Sequence, residues 1–175
     1  TRKLPELTLL PMGSPMFPQA VIPFYNVYLT GTWGSVFHYD GTAWSTPQTA
    51  SGVQFSAVWG PSPTDVWAVG ATGTIVHWDG SAWSRVPSGP LDGLSGVWVS
   101  ASDDVWAVGD SGTVLHWDGG AWTTVAIGVA SPLHAVWGSA SNAVWIVGAT
   151  GTVQHWNGSS WANAAGWTPH ALAGA

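Results

Sequence analysis

The chain of 175 residues contains no cysteine, a single glutamate and only three basic side chains, Arg2, Lys3 and Arg85. Each shortage excludes a class of chemistry. Without a thiol there are no disulfides, no thiolate nucleophile, no Cys-ligated zinc and no iron–sulfur cluster. Three cations cannot neutralise a run of phosphates, and a formal charge of 3 − 9 = −6 repels nucleic acid and anionic bilayers, so neither is expected as a partner. Charged residues make up 7% of the chain, against about 25% in an ordinary soluble domain. Solvent must then be met by Ser, Thr, Gly, Asn and the edges of aromatic rings, a surface that suggests a secreted or cell-surface protein. The stretch from Leu7 to Tyr39 has no formal charge, but Pro11, Pro15, Pro18 and Pro23 interrupt it. It does not read as a membrane-spanning helix, and no membrane insertion is expected.

What the chain has in quantity is tryptophan (15), glycine (23) and proline (12), within a hydrophobic fraction of 46%. That mixture is too apolar for a disordered chain and too rich in turn formers for a helical bundle, which leaves an all-β domain. Self-similarity sharpens the reading. Four segments align without a gap: VYLTGTWGSVFHYDGTAW (Val27 to Trp44), VWAVGATGTIVHWDGSAW (Val66 to Trp83), VWAVGDSGTVLHWDGGAW (Val105 to Trp122) and VWIVGATGTVQHWNGSSW (Val144 to Trp161). Each begins 39 residues after the last (66 − 27, 105 − 66, 144 − 105), and the same step links His38, His77, His116 and His155.

In the second unit, Phe55 to Gly60, Asp65 to Gly70, Thr74 to Trp78 and Ala82 to Val86 are rich in β-branched and aromatic residues. Between them stand a Pro and Ser loop, the Gly70 to Gly73 turn and the dipeptide Asp79-Gly80. The pattern predicts four antiparallel strands per unit, with Asp-Gly as a two-residue hairpin whose central residues both take positive φ. A lone sheet would expose Trp67, Val69, Ile75 and Trp78, so the units must stack on one another. Four strands in about 40 residues is the pattern of a propeller blade.

The unit from Ser95 to Val125, with its VWAVG and HWDG segments, resembles the tectonin-type β-propeller repeat and the Trp-rich repeats of secreted bacterial propellers, over roughly residues 20 to 162. The expected fold is an all-β propeller of four-stranded antiparallel blades, with repeats at about 20–48, 55–86, 94–125 and 133–162. An extension, 1–19, offers a closing strand, and a tail, 163–175, offers the start of a further inner strand because its PHALAG resembles PLHAVWG at Pro132 to Gly138. Tectonin-like domains close with about six blades. Four blades imply a small ring, a homo-oligomer in which another chain completes the propeller, or a piece of a longer chain.

The segment Gly109-Asp110-Ser111-Gly112 spells a serine-nucleophile signature, but its siblings Gly70-Ala71-Thr72-Gly73 and Gly148-Ala149-Thr150-Gly151 mark it as a repeated turn. A sialidase would need three arginines and the chain has two; a glycosidase needs a carboxylate pair, and Asp40, Asp79 and Asp118 are turn residues that Asn157 replaces. Asp103 and Asp104 are adjacent and Asp92 stands alone. The four histidines would form a metal-binding ring only if their strand faced the axis. They fall in the third strand, so they are expected between blades, each with a ring nitrogen on a backbone or hydroxyl group, and no metal is expected. Trp67, Trp106, Trp145, Trp78, Trp117 and Trp156 read as interblade core. The inner Trp59, Trp98 and Trp137 and the hairpin Trp83, Trp122 and Trp161 lie nearer loops, where an indole face can stack on a sugar ring beside hydroxyl groups.

Repetition favours a non-enzymatic binding module, since a catalytic site needs different groups converging once while repeats supply one weak site several times. The tectonin-like resemblance implies lectins and surface-recognition proteins. The expectation is therefore carbohydrate recognition between blades by Trp59, Trp98, Trp137, Trp83, Trp122 and Trp161, with a glycan or surface partner, no catalytic residue and no cofactor. The alternative is a structural or protein-interaction propeller, whether a natural fragment or an engineered repeat scaffold.

Overall fold

The computed structural model describes residues 27–30, 35–40, 43–45, 53–89 and 92–164. Among them are β-strands and turns, and no helix long and apolar enough to cross a membrane. Blade 1 shows β1 (Val27–Thr30), β2 (Val36–Tyr39) and β3 (Trp44–Ser45). Blade 2 is β4 (Phe55–Ser62), β5 (Asp65–Gly70), β6 (Thr74–Trp78) and β7 (Trp83–Arg85), and blade 3 is β8 (Leu94–Ala101), β9 (Asp104–Gly109), β10 (Val114–Trp117) and β11 (Trp122–Thr124). Blade 4 is β12 (Leu133–Ala140), β13 (Ala143–Gly148), β14 (Val153–Trp156) and β15 (Trp161–Asn163). Within each sheet every strand pairs antiparallel with its sequence neighbour, and the arrangement is that of β-propeller blades. The segments 1–19 and 165–175, and the region preceding β1, lie outside the described residues.

Strand β4 packs on β8, and β8 on β12, so the first strand of blades 2, 3 and 4 is the inner one, and β1 of blade 1 is the equivalent of β5. Side chains alternate along each strand. The forward face of a blade, which in blade 2 carries Ala57, Trp67, Val69 and Ile75, packs on the back face of the next, which in blade 3 carries Leu94, Val97, Val105 and Leu115. The rule repeats: Tyr28 and Val36 of blade 1 meet Phe55, Val58 and Val76 of blade 2, and Trp106, Val108 and Val114 of blade 3 meet Leu133, Val144 and Ile146 of blade 4. These seams are the core. Gly138 allows the last of them to close, because a Cβ there would stand 2.6 Å from the Trp98 ring.

Two expectations need correction. The outer hairpins are not two-residue turns: Trp78 pairs with Trp83, Trp117 with Trp122 and Trp156 with Trp161, leaving four-residue loops. Only the glycine has positive φ, at +93° in Gly80 and +92° in Gly119 and Gly158. The preceding Asp or Asn acts through its side chain instead. Trp145, expected in the core, is 38% exposed, beside Trp137 at 54% and Val147 at 43%, because nothing among the described residues packs on the forward face of blade 4.

Candidate functional site

Every histidine of the repeat lies against the aromatic residue opposite it in the neighbouring strand of its own blade, stacked in three blades and tilted by 31° in blade 3. The ring centroids lie 4.4 Å apart for Tyr28 and His38, 4.2 Å for Trp67 and His77, 4.2 Å for Trp106 and His116, and 4.1 Å for Trp145 and His155. The antiparallel register places these pairs side by side on the forward face, so His38, His77 and His116 sit in seams and His155 on the uncovered face of blade 4, none of them on the axis. Burial lowers the His38 pKa and raises that of Tyr28. The nearby Asp40 carboxylate works in the opposite direction on His38.

The expected backbone or hydroxyl partner of these rings proves, in two blades, to be a carboxylate. His77 Nε2 lies 2.8 Å from Asp65 Oδ1, which also accepts from Trp67 Nε1 at 3.0 Å, and His116 Nε2 lies 2.7 Å from Asp104 Oδ1. Both aspartates open the second strand of their blade, twelve residues before the histidine they meet. Composition gave no hint of this pairing; the shared spacing of Asp65–His77 and Asp104–His116, broken by Ala143 in the fourth unit, is the signal that would have found it. Ser100 Oγ donates to Asp104 Oδ2. The hydroxyl is thus held by the carboxylate, whereas activation of a serine nucleophile places it on an imidazole nitrogen.

The hairpin aspartates are turn caps. Asp79 Oδ1 accepts from the Ser81 and Ala82 amides at 2.8 and 2.9 Å, Asp118 Oδ1 from Gly120 and Ala121 at 2.9 Å each, and Asn157 Oδ1 from Ser159 and Ser160 at 2.9 and 3.0 Å. The Ser81 hydroxyl, then these amides, pull the Asp79 pKa down to about 2. The serine-protease-like tetrad is also a turn: Ser111, with φ of +56°, lies between Asp110 and Gly112 in a single 3₁₀ turn, as Thr72 and Thr150 do in theirs. Asp92 braces it, accepting from the Ser111 and Thr113 hydroxyls at 3.5 and 3.3 Å.

The six candidate tryptophans fall into different surroundings. Trp98 is buried at 4% exposure, while Trp59 is half-buried and donates to the Val99 carbonyl at 3.3 Å. Trp137 is open. Trp83, Trp122 and Trp161 are half-buried in the seams: Trp122 meets Trp67 of the preceding blade edge-on at 5.6 Å, and Trp161 meets Trp106 at 5.2 Å. Two clefts accompany these rings. One, of about 540 Å³ at the loop end of the blade 3–4 seam, is lined by Trp98, Ser100, Asp103, Asp104, Gly138, Ser139 and Ser141. The other, of about 450 Å³ at the rim of the blade 2–3 seam, is lined by Val86, Pro87, Ser88, Gly89, Trp117, Gly120 and Trp122. In the second, the Ser88 hydroxyl is committed to the Gly73 carbonyl at 2.7 Å, so polar groups are few. In the first, two carboxylates and three hydroxyls surround the mouth.

No protein-family model matches the sequence, and comparison with curated proteins gives no match. Similar solved structures exist at low identity. YCF48 from Cyanidioschyzon merolae is 18% identical over 75% of this chain and 47% of its own, with a TM-score of 0.64. YCF48 bound to D1 peptide is 18% identical over 92% of this chain and 60% of its own, also at 0.64. The chain therefore spans about half to three-fifths of these two. The computationally designed Ika4 protein is 17% identical over 83% of this chain and 93% of its own, at 0.62. Together with the stacked antiparallel blades, these likenesses establish the fold: the chain is a β-propeller arc of Trp-rich repeats.

Proposed function

We propose that the protein is a non-enzymatic binding module of the tectonin-like kind, secreted or at a cell surface, which holds uncharged carbohydrate in clefts between its blades. The observation that carries this reading is the cleft of about 540 Å³ at the blade 3–4 seam, where the Trp98 edge, the Asp103 and Asp104 carboxylates and the Ser100, Ser139 and Ser141 hydroxyls converge. Paired carboxylate and hydroxyl groups suit the adjacent hydroxyls of a sugar, and Trp98, buried beneath them, offers only its edge. No basic side chain lines this cleft, so sialylated or phosphorylated sugars fit it poorly. Asp104 is held by His116 and Ser100, which leaves Asp103 as the carboxylate available to a ligand.

Titration of neutral oligosaccharides by calorimetry and by amide chemical shift tests the reading. Millimolar affinity is expected for a site of this size without a charge pair, and Asp103→Ala should weaken it by about tenfold without lowering the melting temperature. Absence of any heat or shift at millimolar sugar would refute it. Peptide recognition is the second reading, favoured by the peptide-bound state in which one similar propeller was solved. The same titration with an extended neutral peptide separates the two.

A further inference from the structure

The two ends of the arc are unlike, and they match. At one end the forward face of blade 4 presents Trp137, Trp145 and Val147 at 54, 38 and 43% exposure. Their equivalents one repeat earlier, Trp98, Trp106 and Val108, are 4, 3 and 0% exposed because blade 4 covers them. At the other end the back face of blade 1 presents Phe37 and Trp44 at 37 and 47%, where the equivalent Val76 is 2% exposed. We propose that a second copy of this chain docks on blade 4, the back face of its blade 1 covering Trp145 as blade 3 covers Trp67.

The aromatic seating in the existing seams specifies this partner. In the blade 2–3 seam the Trp117–Trp122 pair, 5.8 Å apart, rests on Trp67 at 5.4 and 5.6 Å. In the blade 3–4 seam the Trp156–Trp161 pair, 5.7 Å apart, rests on Trp106 at 5.6 and 5.2 Å. Blade 4 repeats the platform, with Trp145 stacked on His155 at 4.1 Å. Blade 1 repeats the pair, with Tyr39 and Trp44 at 5.2 Å. The two halves of a seam thus sit at opposite ends of the arc, and among the described residues neither strand face carries a Lys, Arg, Asp or Glu whose desolvation would oppose contact. Among the described residues every seam sets a forward face on a back face. Because each chain carries one of each, the contact is head to tail; a ring of two chains would use both faces of each, and at every such contact Trp137 passes from solvent into a seam as Trp98 already does.

Light scattering and sedimentation across about 1 to 200 µM protein test the proposal. The expected result is conversion from the 18.2 kDa chain to twice that mass. Two variants then separate the faces: Trp145→Ser with Val147→Ser at the forward end, and Phe37→Ser with Trp44→Ser at the back end. Each alone should stay monomeric, and a one-to-one mixture should recover a two-chain species through its single intact seam, which requires both to be folded. A wild-type protein that is monomeric throughout would overturn the proposal, whether another protein or the chain's own first blade covers the face. So would assembly of the Phe37/Trp44 variant at wild-type strength, since the contact would then join two forward faces.

Discussion

Trp67 and Trp145 occupy the same place in the repeat, so replacing each by alanine measures a seam directly. Trp67 is 1% exposed, lies between His77 and the Trp117–Trp122 pair, and donates its indole N–H to Asp65. A tryptophan side chain buries about 150–250 Å², which at about 25 cal/mol per Å² is roughly 4–6 kcal/mol of transfer energy. Alanine keeps a little of that, but the closed seam cannot collapse and the cavity adds a further cost, so Trp67→Ala should lose about 3–5 kcal/mol. Trp145 is 38% exposed and its site opens to water. Truncation there forfeits about three-fifths of the area and leaves no cavity, so about 2–3 kcal/mol is expected in the monomer. For a chain of this length the two variants should differ in melting temperature by roughly 3–6 °C. Urea denaturation followed by tryptophan fluorescence, at concentrations where the wild type is a single chain, gives both numbers. Equal losses, within about 0.5 kcal/mol, would refute the account of the seam as the place where the repeat gains its stability.

The glycines of the outer hairpins combine positive φ with close approach, since a Cβ on Gly80 would stand 2.9 Å from Thr64 Cβ and one on Gly119 3.0 Å from Asp103 Cβ. Gly80→Val should therefore cost about 1–3 kcal/mol by chemical denaturation. Asp79 has its pKa lowered from 3.8 to about 2, so its contribution is complete above pH 4, declines as pH falls through that interval and is gone below about 2. Asp79→Asn, which copies Asn157, should flatten that acid-side loss while leaving the neutral-pH melt unchanged. The indole N–H of Trp106 is buried without a partner, whereas that of Trp67 is bonded to Asp65. Replacement by phenylalanine should consequently destabilise less at 106 than at 67, by about 1–2 kcal/mol, and an equal effect would dissociate Asp65 from the seam.

The period of 39 residues, the strand order and the location of the histidines off the axis were legible because a propeller blade repeats one local grammar. Strand β5 runs from Asp65 to Gly70 and β6 from Thr74 to Trp78, the limits that β-branched and aromatic runs bounded by turn residues define. The hairpin geometry was not legible. Asp-Gly fits a two-residue turn by backbone preference, but the Asp79 carboxylate captures two amides of the loop and holds it at four residues, a side-chain effect that dipeptide statistics do not carry. The Asp–His pairing was hidden for a similar reason. It depends on strand register, which brings Asp65, at the start of β5, beside His77 on β6. The exposure of Trp145 was hidden altogether, since its sequence surroundings match those of Trp67 and Trp106 and only the missing neighbour differs.

The pattern of variation between blades bears on where ligands bind. Residues fixed by the seams and hairpins recur without change: Trp67, Trp106 and Trp145; His77, His116 and His155; Gly80, Gly119 and Gly158. Those at the loop above each cleft vary, with Thr64, Asp103 and Asn142 at one equivalent position, while at another Val99 stands between Gly60 and Gly138. A Cβ placed on the hairpin glycine of blades 3 and 4 would meet only the backbone and Cβ of Asp103 and Asn142, and in blade 2 also Thr64 Cγ2, so packing places little demand on what the rest of the side chain carries. Chemistry there is free to differ from seam to seam. The clefts are consequently unequal: only the blade 3–4 cleft unites Asp103 with Ser139 and Ser141. A ligand that uses a carboxylate should therefore saturate one site per chain ahead of any others, and avidity across several sites would have to come from assembly of chains more than from repetition within one.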